Sequence, residues 1–246
     1  MKSLSLKLLG LSVALGISQL SAAPIGFDFE GSAQGFTTVT GIQDGGGLPW
    51  ALTAAGCAGA SSGCFFVNDP NSINDHYLVS PLLTTGVNSP TLSFDHSRGL
   101  EDTYDGGVVE IALNAGSFFD VFVDVLNPWI SNGYNGTISD SFGSPIAGRM
   151  AFTGTILPDY VNSSIPLHTV LAGDTLQLRW RRASDIGVDA QGWVVDNILL
   201  SDGALSGGAL SDGASEGVPE PGYAIPVVLA FSGMVLARRR RGSVTS

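Results

Sequence analysis

An alternation of period two recurs along this chain between clusters of Gly, Pro, Asn and Asp, and no long segment of helical period interrupts it. Residues 175–181 show it most cleanly: Leu176, Leu178 and Trp180 fall on one face, Gln177, Arg179 and Arg181 on the other. Side chains of a strand alternate between faces, so such a segment turns one face to a core and the other outward. Residues 107–114 and 120–126 are apolar on both faces, which predicts interior strands covered on both sides. Further strands are predicted at 92–96, 150–155 and 193–200. The 33 glycines and a charged fraction of only 13% agree with short strands and many turns. The expected fold is all-β, an antiparallel two-sheet sandwich of jelly-roll type over residues 24–200, with Trp180 and Trp193 in its core.

Both ends have a different character. Lys2 and Lys7 precede an apolar run that closes on Ser21, Ala22 and Ala23, the order of a secretory signal peptide, so residues 1–23 are expected to be removed on export. Residues 201–217 repeat SDGA twice and contain no aromatic or β-branched residue; they read as a flexible Gly/Ser linker spanning roughly 23 Å. Residues 222–237 are apolar and end on Arg238, Arg239, Arg240 and Arg241. Sixteen helical residues reach about 24 Å, short for a hydrocarbon core of about 30 Å, so a transmembrane helix here needs thinning or snorkelling arginines. The arginines would hold that end in the cytoplasm, with the body outside the inner membrane.

Charge narrows the partners. Six of the eleven basic residues sit at the two ends, which leaves five arginines in the interior against all 22 acidic residues. Such a body repels nucleic acid and anionic membrane surfaces and suits divalent cations.

The string Val218, Pro219, Glu220, Pro221, followed by the apolar stretch and the arginine cluster, resembles the PEP-CTERM sorting signal of bacteria that make exopolysaccharide. The resemblance covers residues 218–246. It implies an exosortase as partner, cleavage near the motif, and delivery from the inner membrane to the cell surface or extracellular matrix.

Within the body, DFEGSAQGF (28–36), YDGGVVEIALNAG (104–116), LRWRRASD (178–185) and GWVVDNILL (192–200), in that order, resemble the MAM-like jelly-roll domain found beside secreted metalloproteases of the immune inhibitor A type. Phe118 and Phe119 stand where that family usually has Trp, and Asn197 where a second Asp is common. The resemblance implies an accessory β-sandwich and no catalyst. In jelly rolls of the carbohydrate-binding type an N-terminal carboxylate and one on the last strand share a structural calcium ion, which implies Glu30 and Asp196 here, with Asp28 as a further ligand. Asp69, Asn71, Asn74 and Asp75 form a weaker oxygen cluster that reads as turn-forming residues around Pro70.

Cys57 and Cys64 are the only cysteines, and in an exported chain they read as a disulfide. His76, His96 and His168 are scattered and none begins the HExxH pattern of a zinc peptidase; the string GxSxG occurs at 59–63 and 213–217, but both matches fall in Gly/Ser-rich segments without the strand-to-helix pattern of a nucleophile elbow. A Ser-His-Asp triad is assembled in space, so sequence leaves it open. Glu110 and Glu101 are the carboxylates that a polysaccharide hydrolase would use. Trp50, Trp129, Tyr134 and Tyr160 lie in loop-like segments where rings could stack on sugar faces. The expectation is an exported, exosortase-processed surface or matrix protein that binds exopolysaccharide and is not an enzyme; the rival is a secreted hydrolase acting through a carboxylate pair.

Overall fold

Leu176, Leu178 and Trp180 do point together into a shared core, and Trp180 stacks edge-on against Phe94 of the opposite sheet at 5.5 Å between ring centroids. The computed structural model describes residues 23–122 and 128–201. The segment expected as a signal peptide, apart from Ala23, the expected linker beyond Ser201, the expected transmembrane stretch, the Val218–Pro221 motif and the Arg238–Arg241 cluster lie outside the described residues.

Fourteen strands are present among them: β1 (Ile25–Phe27), β2 (Thr37–Gln43), β3 (Ala51–Thr53), β4 (Cys64–Asp69), β5 (Asn74–Val79), β6 (Leu83–Thr84), β7 (Thr91–Gly99), β8 (Gly106–Leu113), β9 (Phe119–Asp120), β10 (Gly136–Thr137), β11 (Met150–Ala151), β12 (Val161–Pro166), β13 (Thr175–Ser184) and β14 (Ala190–Ser201). The first sheet runs β12-β7-β14-β4-β3, with β1 also on β14; the second runs β2-β5-β13-β8-β9, with β6 on β13. All pairs are antiparallel. β1 pairs with the end of β14, Ile25 opposite Leu200, which joins the start of the domain to its finish.

Inward side chains of the two sheets fill the space between them: Phe65, Phe94, Trp193 and Val195 from the first, Leu78, Val109, Leu178 and Trp180 from the second. β8 is buried along nearly its whole length, as its two apolar faces predict. Its inner face joins that core, while its outer face is covered by the segment bearing β10 and β11, where Ile138, Ile146 and Ala151 pack on Val108 and Ala183.

One strand, that expected at 150–155, is shorter than the sequence suggests. Of the segment expected from Asp120, Phe119–Asp120 pairs with β8, the Val121 amide donates to the Val109 carbonyl at 3.0 Å, and the Phe122 amide donates to Asp120 Oδ1 at 2.9 Å. Its continuation, 123–127, lies outside the described residues. After Met150–Ala151, Phe152 makes an isolated bridge to Gly107, and Gly154 at φ +69° ends the extended run.

Candidate functional site

The outer face of the first sheet carries a groove of about 840 Å³. Phe65 and Val67 of β4 turn inward, so Phe66 between them faces out and forms the floor with Val194 of β14. Leu157 and Pro158 form one wall, Ala55 and Gly56 the other, and Thr53, Thr155 and Gln191 supply hydroxyls and an amide. Among the described residues no charged side chain lines it. The shape depends on a bulge in β14 between Ala190 and Trp193. Gly192 takes φ +115° there, and a Cβ on it would fall on the Val67 carbonyl oxygen. Its partner on β7 is Gly99, where a Cβ would crowd Leu157 Cδ1 at 2.9 Å and Gln191 Oε1 at 2.8 Å. Tyr160 straps one wall to the other through its hydroxyl, which donates to the Gly56 carbonyl; burial, then the charges of Asp196 and Asp95, push that hydroxyl up to about 12.

Beside this groove is the disulfide loop. Cys57 and Cys64 are bonded, with Cα atoms 5.4 Å apart. Glu30 and Asp196 both turn onto the loop they close. The Ser62 amide donates to Glu30 Oε1 at 2.9 Å and the Ser62 hydroxyl to Oε2, and these bonds hold the Glu30 carboxyl below its ordinary range. The Ala58 amide donates to Asp196 Oδ2 at 3.3 Å and the Asn197 amide to Oδ1 at 2.8 Å, although burial pushes this carboxyl up. Asn197, at φ +47°, sits in a second bulge of β14 that aims Asp196 at the loop. Asp28 Oδ1 accepts from the Glu30 amide and from Gln34, so it serves its own turn. All four oxygens of Glu30 and Asp196 face N–H or O–H donors. That donor set forms a hydrogen-bonded clasp on the disulfide loop.

The four aromatic candidates do not form one platform. Trp50 is a correction: it is 2% exposed, stacked on Trp193 at 5.5 Å, with its indole N–H donated to the His76 carbonyl, so neither ring face is open to a ligand. Trp129 and Tyr134 meet each other at 5.1 Å and both pack on Phe152, half-buried. The Tyr134 hydroxyl bridges Val109 and Asp120.

Catalytic groupings fare no better. His96 Nε2 lies 2.8 Å from Ser163 Oγ, which is the beginning of a triad, but Nδ1 accepts the Trp193 indole N–H. The ring proton is therefore on Nε2, which donates to Ser163 and cannot take its proton, while the Ser163 hydroxyl donates its own hydrogen bond to the Asn132 carbonyl. Glu110 accepts from Arg149 Nη1 and Arg179 Nε at 2.6 Å each, on the outer face of the second sheet. The Arg179 guanidinium is stacked between the Tyr77 and Phe118 rings, at 4.6 and 4.2 Å. Glu101 instead accepts from the Val188 amide, on the loop that precedes β8, so the two glutamates belong to different clusters.

The groove residues Phe66, Leu157, Gln191 and Gly192 escaped the sequence reading. The one local signal is the Gln191-Gly192 interruption before the strongly patterned Trp193.

No family model matches the chain and no curated protein matches it. Among solved structures it is similar to the K1 cleaved adhesin domain of Lys-gingipain from Porphyromonas gingivalis W83, at 20% identity over 73% of this chain and 98% of that one, with a TM-score of 0.42. It is also similar to CBM27-1 of Caldicellulosiruptor saccharolyticus, solved in complex with mannohexaose, at 12% identity over 74% and 98%, TM-score 0.45. A third is the family 11 carbohydrate-binding module of Clostridium thermocellum, at 12% identity over 72% and 95%, TM-score 0.38. These identities and scores are too low to transfer a ligand or an activity.

Proposed function

We propose that this chain is an exported, surface-associated binding protein whose sandwich holds a neutral glycan in the groove over Phe66, and that it is not an enzyme. The carrying observation is the uncharged groove itself. A sugar presents apolar C–H faces and a rim of hydroxyls; the Phe66 ring and the Leu157–Pro158 wall suit the faces, and Thr53, Thr155 and Gln191 suit the hydroxyls. Its volume lies within the ordinary range for ligand sites, about 300–1,000 Å³. With no carboxylate in the lining it offers no general acid or base for glycoside hydrolysis, and with no arginine or lysine it offers nothing to an acidic sugar. The secretory signal, the exosortase-type tail and the MAM-like sequence pattern support the surface location, with exopolysaccharide as the natural source of such a ligand.

The test is titration of the full-length protein with neutral oligosaccharides, read by calorimetry, beside Phe66→Ala and Gln191→Ala. Binding that Phe66→Ala weakens at least tenfold without a change in the sheet spectrum supports the reading. Binding that both variants leave intact, or selective binding of uronic-acid oligomers, overturns it.

A further inference from the structure

The loop from Leu100 to Asp105 and the turn from Asp185 to Val188 meet at one end of the second sheet. There Glu101, Asp105 and Asp185 each offer a carboxylate oxygen, all within 4.8 Å of one another. Backbone amides fix this arrangement. The Asp185 amide donates to Asp105 Oδ1 at 2.7 Å, the Gly187 amide to Asp185 Oδ1, and the Val188 amide to Glu101 Oε2 at 3.0 Å. Residue 187 has to be small, because a Cβ would stand 2.6 Å from Glu101 Oε2 and 2.8 Å from Asp185 Oδ1.

One oxygen of each carboxylate is thus anchored, and a second remains. On Asp105, which is 0% exposed, that second oxygen, Oδ2, meets no N–H or O–H donor, and the carboxyl faces that of Asp69, 1% exposed, whose Oδ2 likewise meets none. The buried Arg182 guanidinium, 3.4 Å from Asp69 Oδ1, supplies one positive charge beside the pair. One guanidinium does not balance the carboxylates gathered here, which repel unless a further cation or a proton stands among them.

The geometry points to a hard divalent cation, calcium, bound by Glu101, Asp105 and Asp185, with Asp69 as the charge behind it. The donors are all oxygens, the number of carboxylates suits a doubly charged ion, and their irregular spacing suits calcium better than the strict octahedron of magnesium. Half-buried Glu101 is the side open to solvent. This place is distinct from the clasp of Glu30 and Asp196, whose oxygens already meet donors. Without an ion, a proton fills the same role: burial, then the charge of Asp69, raises the Asp105 carboxyl far above its ordinary range. The two occupants differ in what they respond to.

The experiment is calorimetric titration of chelator-treated full-length protein with calcium chloride, together with thermal melts in calcium and in EDTA. Wild type is compared with Asp105→Asn, Asp185→Asn, Glu101→Gln and Asp196→Asn. Calcium at one hundred times its dissociation constant should raise Tm by roughly 5 to 10 °C. Asp105→Asn and Asp185→Asn should each weaken calcium at least tenfold, and Asp196→Asn should leave both heat and shift in place. If Asp105→Asn does not fold, the half-buried Glu101→Gln carries the same expectation. Two results overturn the site: no heat and equal melting with calcium and chelator, which means a shared proton only, or a shift that Asp196→Asn abolishes while Asp185→Asn and Glu101→Gln keep it. Neither result touches the glycan groove, which is read with oligosaccharides.

Discussion

The Trp193 indole N–H donates to Nδ1 of His96 across 3.2 Å, with both rings fully buried. A protonated His96 would lose that acceptor and carry a charge into the core. Burial first, and then the Arg98 charge, accordingly lower this imidazole to about 3, and His76 is lowered to about 4 by burial and Arg182. The unfolded chain takes up these protons near pH 6.5 and the folded chain does not. Their contribution to stability is therefore complete above about pH 6.5 and declines as the pH falls toward 3 to 4. His96 alone should account for about 1.4 kcal/mol per pH unit in that window. Asp69, Asp105 and Asp196, raised by burial, act in the opposite sense, so the informative quantity is a difference. Urea unfolding of wild type and His96→Gln at pH 7, 5.5 and 4.5 should show a gap that narrows with acid; a gap independent of pH would mean that folding leaves the His96 imidazole as basic as in the unfolded chain.

A hydrolase would have its acid at Glu110, and the sandwich uses that residue otherwise. Its carboxylate is 4% exposed and is shared by Arg149 and Arg179, both partly open to solvent. Glu110→Gln removes the charge and leaves the guanidinium groups facing one another. A cost of about 3 kcal/mol, the low end for breaking a buried ion pair, corresponds to roughly 6 to 12 °C in Tm. Unchanged melting would show that the face does not depend on this network.

Which side chains enter the core could be anticipated from local pattern wherever burial follows alternation. Leu176, Leu178 and Trp180 repeat with period two, and Trp193 follows a Gly in an apolar run. Trp50 could not be placed this way, since Gly45, Gly46, Gly47 and Pro49 surround it and its burial comes from Trp193 and His76, remote in sequence. The groove was hidden for a similar reason. Its parts come from β3, β4, β14 and the 155–158 loop, and what opens it is a bulge, which leaves no trace in composition. Asp105 reads as one carboxylate of a DGG turn until Asp185, eighty residues later, is folded against it.

The tail makes its own prediction. If residues 218–246 act as an exosortase signal, protein released from the surface of its native host ends near Pro221. Its intact mass should lack Arg238, Arg239, Arg240 and Arg241; a released chain that retains them removes the basis for the sorting proposal.

The disulfide loop is held by bonds of two kinds, and they can be separated. With Cys57 and Cys64 paired, denatured, non-reduced mature protein should show no thiol reactive to maleimide. Asp196→Asn keeps the disulfide but makes Asp196 a poorer partner for the Ala58 amide, so it should increase hydrogen exchange at residues 58–62 while β7 stays protected. Equal exchange in both proteins would show that the Asp196 bond does not restrain the loop beyond the disulfide and the Glu30–Ser62 bonds.

Gly192 and Gly173 allow crowding to be distinguished from backbone strain. Both adopt positive φ, +115° and +92°, so Ala at either place meets the unfavourable conformation that L residues avoid, about 1–2 kcal/mol. Around Gly173 nothing lies within 4 Å of a new Cβ, and Gly173→Ala should cost only that strain. At Gly192 the new Cβ falls on the Val67 carbonyl and lies 2.8 Å from Asn68 Cα, both backbone atoms of β4 that cannot rotate away. Gly192→Ala must therefore push β14 from β4 beneath the Phe66 floor. Its destabilisation should exceed that of Gly173→Ala by about 2 kcal/mol, within the range of overpacked sites. Oligosaccharide binding should fall with Gly192→Ala and stay level with Gly173→Ala. Equal losses of stability would show that the bulge yields without cost, and that the shape of the groove does not depend on a glycine at this position.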